Sequence, residues 1–377
     1  MPRLADATPI ELKYGDARTA VDFQVEPVPA VRVSGRLEGW TDPPAFLLRL
    51  LPRGGEQLGF GSEVATTVCE PDGRFTFLNV PQGDYTLIAQ ASVMDFTSGD
   101  ESTRIADAPG FPQGGITVGS MEGAPGLGYL SRHGAANPRW ARQPVTIGSG
   151  DVEDLVVLLR PTVTIRGRLV FAEGVTPPAK NRVLLHAVPA NGDPSLGQPS
   201  GGTAPGAAAD NLTFTVSGLL GGTYLLAPFQ RFIIVSAITG GRDVVYSGFD
   251  ASRGEDFDDV VLTLTDKFAS IAGRVDGVPD RSRTAAVIVF PVQPDRWTNF
   301  GWRPAQFQTA RASVEGEFTI EDLPAGEYYV IAVDAGDMHA WLDPKWLAAA
   351  APAATRVTLG WGEKRDIGLR FTGQVSK

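Results

Sequence analysis

Apolar and polar residues alternate along much of the chain, as they do in β-strands that bury one face. The clearest example is DGRFTFLNVPQGDYTLIA, residues 72–89, where two phenylalanines and then Tyr85 and Leu87 occupy every second position. Between the two runs, the sequence Val-Pro-Gln-Gly places Pro second and Gly fourth in a four-residue turn. The segment therefore predicts two strands joined as a hairpin.

The same pattern recurs twice downstream. Residues 315–332 read EGEFTIEDLPAGEYYVIA, and a less regular copy, NLTFTVSGLLGGTYLLA, occupies residues 211–227. Each copy follows a strand-like segment that ends in Gly-Arg, within VRVSGRL, VTIRGRL and ASIAGRV. The chain therefore contains three repeats of one order: Gly-Arg strand, variable stretch, and Phe-turn-Tyr hairpin.

The residues that recur are turn formers and core aromatics, which predict a scaffold rather than a reactive site. The Tyr that follows each turn is similar to the tyrosine corner of β-sandwiches, in which the ring enters the core and the hydroxyl bonds to nearby backbone. The predicted structural positions are Gly35, Phe75, Pro81, Gly83, Tyr85, Gly167, Phe214, Gly222, Tyr224, Gly273, Phe318, Pro324, Gly326 and Tyr328.

A third element closes each repeat, an acidic or glycine-containing turn that leads into an alternating apolar strand. A fourth copy, IELKYGDARTAVDFQVEP, precedes the first Gly-Arg strand. It is either the end of a truncated upstream repeat or an added hairpin on the first domain; we favour the former and expect a longer natural protein. The predicted fold is all-β, with three tandem β-sandwich domains. The predicted boundaries are 1–28 for the extra closing strands, 29–160 for repeat 1 with a long insertion, 161–267 for repeat 2 and 268–377 for repeat 3.

Composition narrows the possible partners. The formal net charge is −10, and the Arg residues form no basic run, which argues against nucleic acid as a partner. No apolar run approaches the roughly 18 residues needed to span a bilayer, and the N-terminus lacks the apolar centre of a secretion signal. The single cysteine, Cys69, is interpreted as a buried structural thiol.

The combination of Gly-Arg strand, Asp-Gly-x-Phe and Pro-x-Gly-x-Tyr resembles the carboxypeptidase regulatory-like domain. This family has a transthyretin-like (prealbumin-like) seven-stranded sandwich related to the carbohydrate-binding-like folds. The resemblance therefore implies three tandem seven-stranded β-sandwich domains. Repeats 1 and 3 carry the full pattern, whereas repeat 2 matches it at Gly167-Arg168, Phe214, Gly222 and Tyr224. The resemblance implies a secreted or envelope-associated bacterial protein, and it implies fold more strongly than function.

No catalytic motif is present in the sequence. The three histidines, His133, His186 and His339, lack the partners required by the iron site of intradiol dioxygenases or the zinc pair of metallocarboxypeptidases. The acidic run GEDFDD is interpreted as a solvated turn, although Ca²⁺ binding at such a turn stays open. We predict no catalytic residue, metal site or cofactor; an enzyme with a site built from loops remains an alternative.

Tryptophan is distributed unevenly, with five of seven in repeat 3 and none in repeat 2. Aromatic faces stack on the apolar faces of sugar rings, and DRWTNFGWRP places two indoles in a segment expected to be a loop. The candidate ligand-binding residues are Trp297, Trp302, Trp341 and Trp346. Packing is the alternative for all four, and is preferred for the two that flank a predicted short helix, DPKWLAAAAPAA.

Two functions follow from these observations. In the first, a non-catalytic module outside the cytoplasm binds a glycan through repeat 3. In the second, the chain is a spacer or assembly element whose partner is another envelope protein.

Overall fold

The computed structural model describes most of the three repeats. The described residues are 10, 12, 17–19, 21–22, 27–40, 46–55, 62–90, 116–120, 128–132, 139–178, 183–197, 199–203, 212–229, 231–278, 284–302 and 304–373. Most of the extra N-terminal copy, most of the insertion in repeat 1 and His133 lie outside them. The described chain is nearly all β, as predicted.

Repeat 1 forms two facing sheets, plus a separate two-stranded hairpin within its insertion. Its strands are β1 Ala30–Glu38, β2 Leu47–Pro52, β3 Ala65–Val68, β4 Arg74–Pro81, β5 Gly83–Gln90, β6 Ile116–Ser120, β7 Gly128–Arg132, β8 Arg139–Ile147, β9 Val152–Leu158 and β10 Arg160–Pro161. One sheet has the order β4-β1-β9 and the other β10-β8-β5-β2-β3. Inward side chains from both sheets, among them Phe75, Phe77 and Tyr85, form one buried cluster.

Repeat 2 departs from this arrangement. Its strands are β11 Val163–Phe171, β12 Leu184–Pro189, β13 Ser200–Thr203, β14 Thr213–Leu219, β15 Thr223–Pro228, β16 Ile233–Thr239, β17 Arg242–Asp243, β18 Phe249–Asp250 and β19 Phe257–Thr265. Strand β13 pairs with both β12 and β14, so all nine strands form one continuous sheet. The segment between β15 and β18 also supplies β16, which pairs with β19.

Repeat 3 returns to two facing sheets. Its strands are β20 Ala269–Asp276, β21 Ala285–Pro291, β22 Gln308–Arg311, β23 Glu317–Leu323, β24 Gly326–Asp334, β25 Thr355–Leu359 and β26 Lys364–Arg370. The sheet orders are β23-β20-β26 and β22-β21-β24-β25. The predicted short helix is confirmed as α1 Pro344–Ala350, where the Asp343 carboxylate accepts a hydrogen bond from the Lys345 N–H at 2.9 Å.

The internal contacts divide the chain into two compact units. One contains repeat 1 together with residues 193–195, and the other contains the rest of repeat 2 and repeat 3. The domain boundaries given above therefore stay a prediction.

The predicted hairpin between the Phe and Tyr strands is wrong. In repeats 1 and 3 the two strands belong to opposite sheets: β4 pairs with β1 while β5 pairs with β2 and β8, and β23 and β24 are divided in the same way. The turn therefore carries the chain from one sheet to the other. Period-2 alternation is the same for either arrangement, because it reports which face is buried and not which strand lies alongside.

The Tyr that follows each turn makes a hydrogen bond to backbone through its hydroxyl group. The Tyr85 hydroxyl donates to the Pro81 carbonyl at 2.8 Å, and the Tyr328 hydroxyl donates to the Pro324 carbonyl at 2.8 Å. In repeat 2, which lacks the Pro, the Tyr224 hydroxyl donates to Leu196 O at 2.9 Å and accepts from Leu220 N–H at 3.0 Å. All three rings are buried, so the arrangement is that of a tyrosine corner.

The glycine of each Gly-Arg strand lies where a parallel strand passes unusually close. A Cβ on Gly35, Gly167 or Gly273 would overlap the carbonyl oxygen of the facing residue on β9, β19 or β26. These three strands are the closing strands of the repeats, and they pair in parallel with β1, β11 and β20. Glycine is therefore required at these positions for close backbone approach.

A further shared position lies four residues after the Phe. Asn79 and Asp322 have positive φ of 57° and 61°, and Gly218 has φ of 92°. In repeats 1 and 3 the pairing register with the Gly-Arg strand shifts at this point, which marks a β-bulge that turns the chain towards the opposite sheet. Asn, Asp and Gly are the residues that adopt this backbone conformation most readily. Their recurrence four residues after the Phe is therefore a sequence signal for the bulge, although the bulge was not predicted.

Candidate functional site

The tryptophans of repeat 3 lie mainly in a second hydrophobic cluster. Strand β21 is buried along its whole length, with alternate residues facing opposite sides of its sheet. Ala285, Val287 and Val289 face the sandwich interior, whereas Ala286, Ile288 and Phe290 face a cluster that contains Trp297 and Trp346. The indoles therefore cover the outer side of a sheet.

Trp297 is held in place at the end of a short 3-10 turn, Pro294–Arg296. It is 7% exposed, and its indole N–H donates to the Pro291 carbonyl at 2.8 Å. Its ring meets Phe290 edge to face, with centroids 5.8 Å apart. Both the ring and the N–H of this indole are engaged within the protein.

Trp346 and Trp341 flank the start of α1 and pack against the same cluster. Trp346 is 2% exposed. Trp341 is half-buried, and its ring stacks near Phe307 and Phe300 at centroid distances of 5.2 and 5.5 Å. These contacts favour packing for this pair; ligand binding through them stays a prediction.

Trp302 differs from the other three candidates. It is 44% exposed, yet its indole N–H donates to the Gly192 carbonyl of repeat 2 at 2.8 Å. The preceding residue, Gly301, donates its N–H to Ala190 O at 2.8 Å, and a Cβ at Gly301 would lie 2.9 Å from Val188 Cγ1. The loop is thus fastened to repeat 2 while part of the indole faces solvent.

A polar cluster that sequence reasoning missed lies in the same compact unit. The Arg296 guanidinium lies over the Tyr246 ring, 4.0 Å from its centroid, and donates to Gln306 Oε1 at 3.4 Å. Burial raises the pKa of the Tyr246 phenol, and the Arg296 charge offsets part of this rise. Burial and the nearby Tyr246 phenol also raise the pKa of Tyr328, although Gln306 and Arg296 act in the opposite direction. No local pattern marks these residues, because Tyr246 and Arg296 come from different repeats.

The acidic turns bind the protein's own backbone. In repeat 2, the Asp256 carboxylate accepts a hydrogen bond from the Thr164 N–H at 2.9 Å. It also forms an ion pair with the Arg166 guanidinium at 2.8 Å. Burial raises the pKa of this carboxyl, but the bonds from Arg166 and the Thr164 N–H outweigh it and hold the pKa below its ordinary value. In repeat 1, the Asp151 carboxylate accepts a hydrogen bond from the Arg32 N–H of β1 in the same way. These carboxylates anchor the start of the Gly-Arg strand to the closing turn.

Metal-ligating residues do not gather in the part of the chain that the structure describes. No group of three or more His, Cys, Asp or Glu side chains there is placed to hold a metal ion. The His186 ring contacts the Phe229 ring at a tilt, with centroids 4.6 Å apart, and His339 is exposed beside a short 3-10 turn. Cys69 is buried, and burial raises the pKa of its thiol. Among the described residues, no helix has the length and apolar character needed to cross a membrane.

No protein-family model and no curated protein sequence matches the chain. Among solved structures, it is similar to the Bacillus anthracis TIE protein, with 11% identity and a TM-score of 0.20, over 95% of this chain and 59% of that protein. It is also similar to a streptococcal ancillary pilin, with 10% identity and a TM-score of 0.23, over 90% of this chain and 98% of the pilin.

A third similar structure is the fimbrial anchor protein Mfa2 of Porphyromonas gingivalis, with 11% identity and a TM-score of 0.28, over 53% of this chain and 77% of that one. The chain thus spans less than two thirds of the TIE protein's length. At these low scores the likenesses carry no argument about what the chain binds, and the carboxypeptidase regulatory-like resemblance stays a prediction.

Proposed function

We propose that the chain is a non-catalytic binding module of the bacterial cell envelope, and that it binds a neutral glycan against Trp302. The observation that carries the proposal is the geometry of this indole: it is 44% exposed, and a hydrogen bond to Gly192 O fixes its orientation. A ring that is already immobilised loses little conformational entropy when a sugar stacks on it. The envelope location rests on the family resemblance alone.

The neighbouring aromatic residues support this assignment of roles. Trp297 and Trp346 are buried and make the base on which the loop is built. Trp341 is half-buried and packs against the same cluster. The formal net charge of −10 disfavours acidic polysaccharides, because like charges repel, so a neutral sugar is the expected ligand class.

The test is to titrate the full chain with a panel of neutral polysaccharides and to measure binding by tryptophan fluorescence and by calorimetry. Trp302→Ala is expected to weaken binding about tenfold or more, and Trp302→Phe to retain part of it, because stacking needs only an aromatic face. Trp361→Ala is the matched control, because Trp361 is also exposed, at 36%, and lies on the turn between β25 and β26. Binding by Trp302→Ala at the affinity of the unsubstituted chain, or no response across the panel, would refute the proposal.

A spacer or assembly element is the second candidate. It is favoured by the contacts that join repeats 2 and 3 into one compact unit, which include the Gly301–Ala190 hydrogen bond and the Arg296–Tyr246 contact. An exposed ion pair between Arg231 and Asp322, at 2.8 Å, adds to them. Under this hypothesis, calorimetry of the full chain should show repeats 2 and 3 unfolding in one transition. Tyr246→Ala should separate that transition into two, and independent unfolding in the unsubstituted chain would count against a rigid spacer.

A further inference from the structure

The closing strand of repeat 1 has an apolar sheet edge. Strand β9 lies at the end of the sheet β4-β1-β9, and among the described residues it pairs only with β1. Its second half reads Leu-Val-Val-Leu, and the outward side chains of Val156 and Leu158 are 38% and 58% exposed. Edge strands of this composition readily pair with another strand.

Repeat 2 shows that a further strand can pair at the equivalent edge. The register against the Gly-Arg strand makes Val261 and Thr263 of β19 equivalent to Val156 and Leu158, because each pair faces corresponding residues of β11 and β1. In repeat 2 the same edge is covered by β16, which runs antiparallel and places Ile238 opposite Val261 and Ser236 opposite Thr263. The edge of this fold therefore accepts an added antiparallel strand.

Repeat 3 carries residues that protect the same edge. Gly368 and Arg370 of β26 occupy the positions equivalent to Val156 and Leu158. Charged residues Lys364, Arg365 and Asp366 precede them, and all three are exposed. Charge and glycine at an edge discourage further pairing. In repeat 1, Glu153 and Asp154 likewise precede the apolar half of β9, but Val156 and Leu158 stand where repeat 3 has Gly368 and Arg370, and no covering strand is present among the described residues.

The backbone of β9 is oriented for such pairing. The Leu159 N–H donates inward to Glu38 O at 2.8 Å. Because successive residues of a strand direct their N–H and C=O groups to opposite sides, those of Val156 and Leu158 point away from β1. The two exposed apolar residues are therefore also the two whose backbone groups lie on the open edge.

We propose that β9 is a self-association edge, which pairs antiparallel with β9 of a second copy about a two-fold axis at Val157. This register places Val156 opposite Leu158 of the partner subunit, and Leu158 opposite Val156 of the partner subunit. Two such pairs provide about four backbone hydrogen bonds and bring the four exposed side chains together on one face. The strand is thus complementary to itself, which is what a two-fold interface requires. The proposal is independent of glycan binding and involves none of its residues.

The test is sedimentation equilibrium of the full chain from low micromolar to submillimolar concentration, with hydrogen exchange at both ends of the range. We expect a weak dimer, because one strand pair buries little surface, and slower exchange of the Val156 and Leu158 amides at high concentration. The double variant Val156→Lys, Leu158→Lys should raise the dissociation constant about tenfold or more, since edge lysines oppose pairing.

The control is Val170→Lys, which changes a residue 36% exposed on β11, a strand with neighbours on both sides. It should leave the dissociation constant unchanged. Three results would overturn the proposal: a monomer with freely exchanging amides at 156 and 158; a monomer in which these amides are protected, because another segment then covers the edge; or a dimer indifferent to the lysines.

Discussion

Replacing Gly273 by Ala tests whether the recurring glycine is required by close strand packing. Gly273 on β20 faces Ile367 on β26. A Cβ added to Gly273 would lie 2.8 Å from the Ile367 carbonyl carbon and 3.1 Å from the Ile367 nitrogen. Carbon atoms in ordinary contact are about 3.5–4.0 Å apart, and the added Cβ would overlap the Ile367 carbonyl oxygen more closely still. Strands β20 and β26 would therefore have to separate locally by more than about an ångström.

The expected cost follows from two terms. Separation weakens about two backbone hydrogen bonds, each worth about 1 kcal/mol. Gly273 also has a φ of +157°, which an L side chain adopts only with strain of about 1–3 kcal/mol. The sum is about 3–5 kcal/mol, a large share of the 5–15 kcal/mol that stabilises a typical domain.

Gly368→Ala is the matched control, because Gly368 lies on the same strand pair, opposite Arg274, and an added Cβ there meets nothing within 4 Å. It should leave stability unchanged or raise it by about 0.5 kcal/mol, through lower entropy of the unfolded chain. Urea unfolding followed by tryptophan fluorescence reports mainly on repeat 3, which holds five of the seven indoles. Equal urea midpoints for the two variants, or a Gly273→Ala midpoint within experimental error of the unsubstituted chain, would refute the packing explanation.

Three further outcomes follow from the contacts described above. Tyr224→Phe should lower the free energy of unfolding by about 2–3 kcal/mol, because the Tyr224 hydroxyl makes two backbone hydrogen bonds. Tyr85→Phe should lower it by about 1 kcal/mol, because the Tyr85 hydroxyl makes one. Chemical unfolding of both variants measures this difference, and equal losses would contradict the prediction. The pKa of Asp256 is lowered in the folded protein, so its carboxylate stabilises the fold above the unfolded pKa of about 4. This contribution is lost as the pH falls through the folded pKa. On going from neutral to acidic pH, the urea midpoint of Asp256→Asn should therefore fall by less than that of the unsubstituted chain. The Cys69 thiol is buried and its pKa is raised, so a thiol reagent should react with it only after urea unfolds the chain, and rapid reaction of the folded protein would show that the site is accessible.

The sequence predicted the strands better than their partners. Alternation located the Phe and Tyr strands, and the Asp343-Pro344 pair located the start of α1, because both signals are local. The hairpin prediction failed because a turn of the same composition can join paired strands or cross between sheets. The β-bulge at Asn79 decides between these arrangements in repeat 1, and it becomes visible only when the register with β1 is known.

The tryptophan-rich repeat shows the same division. Its composition predicted an aromatic surface, but burial of Trp297 and Trp346 depends on how the loop after β21 and helix α1 fold back over the sheet. The position of Trp302 depends on a carbonyl group of another repeat. A residue's exposure is determined by what covers it, and the covering segment can lie far away along the chain.

The amino-acid sequence by itself determined which segments are extended, where the chain turns, and which recurring glycines and tyrosines are structural, because these signals lie within short runs of neighbouring residues. Only the tertiary structure decided which sheet each strand joins, why glycine is needed where two strands approach closely, and which indole faces solvent. It also decided that β16 covers the edge of β19, whereas among the described residues β9 and β26 each have one neighbouring strand. The physical reason is that strand pairing and burial are interactions between distant parts of the chain, and a period-2 pattern carries no information about the partner.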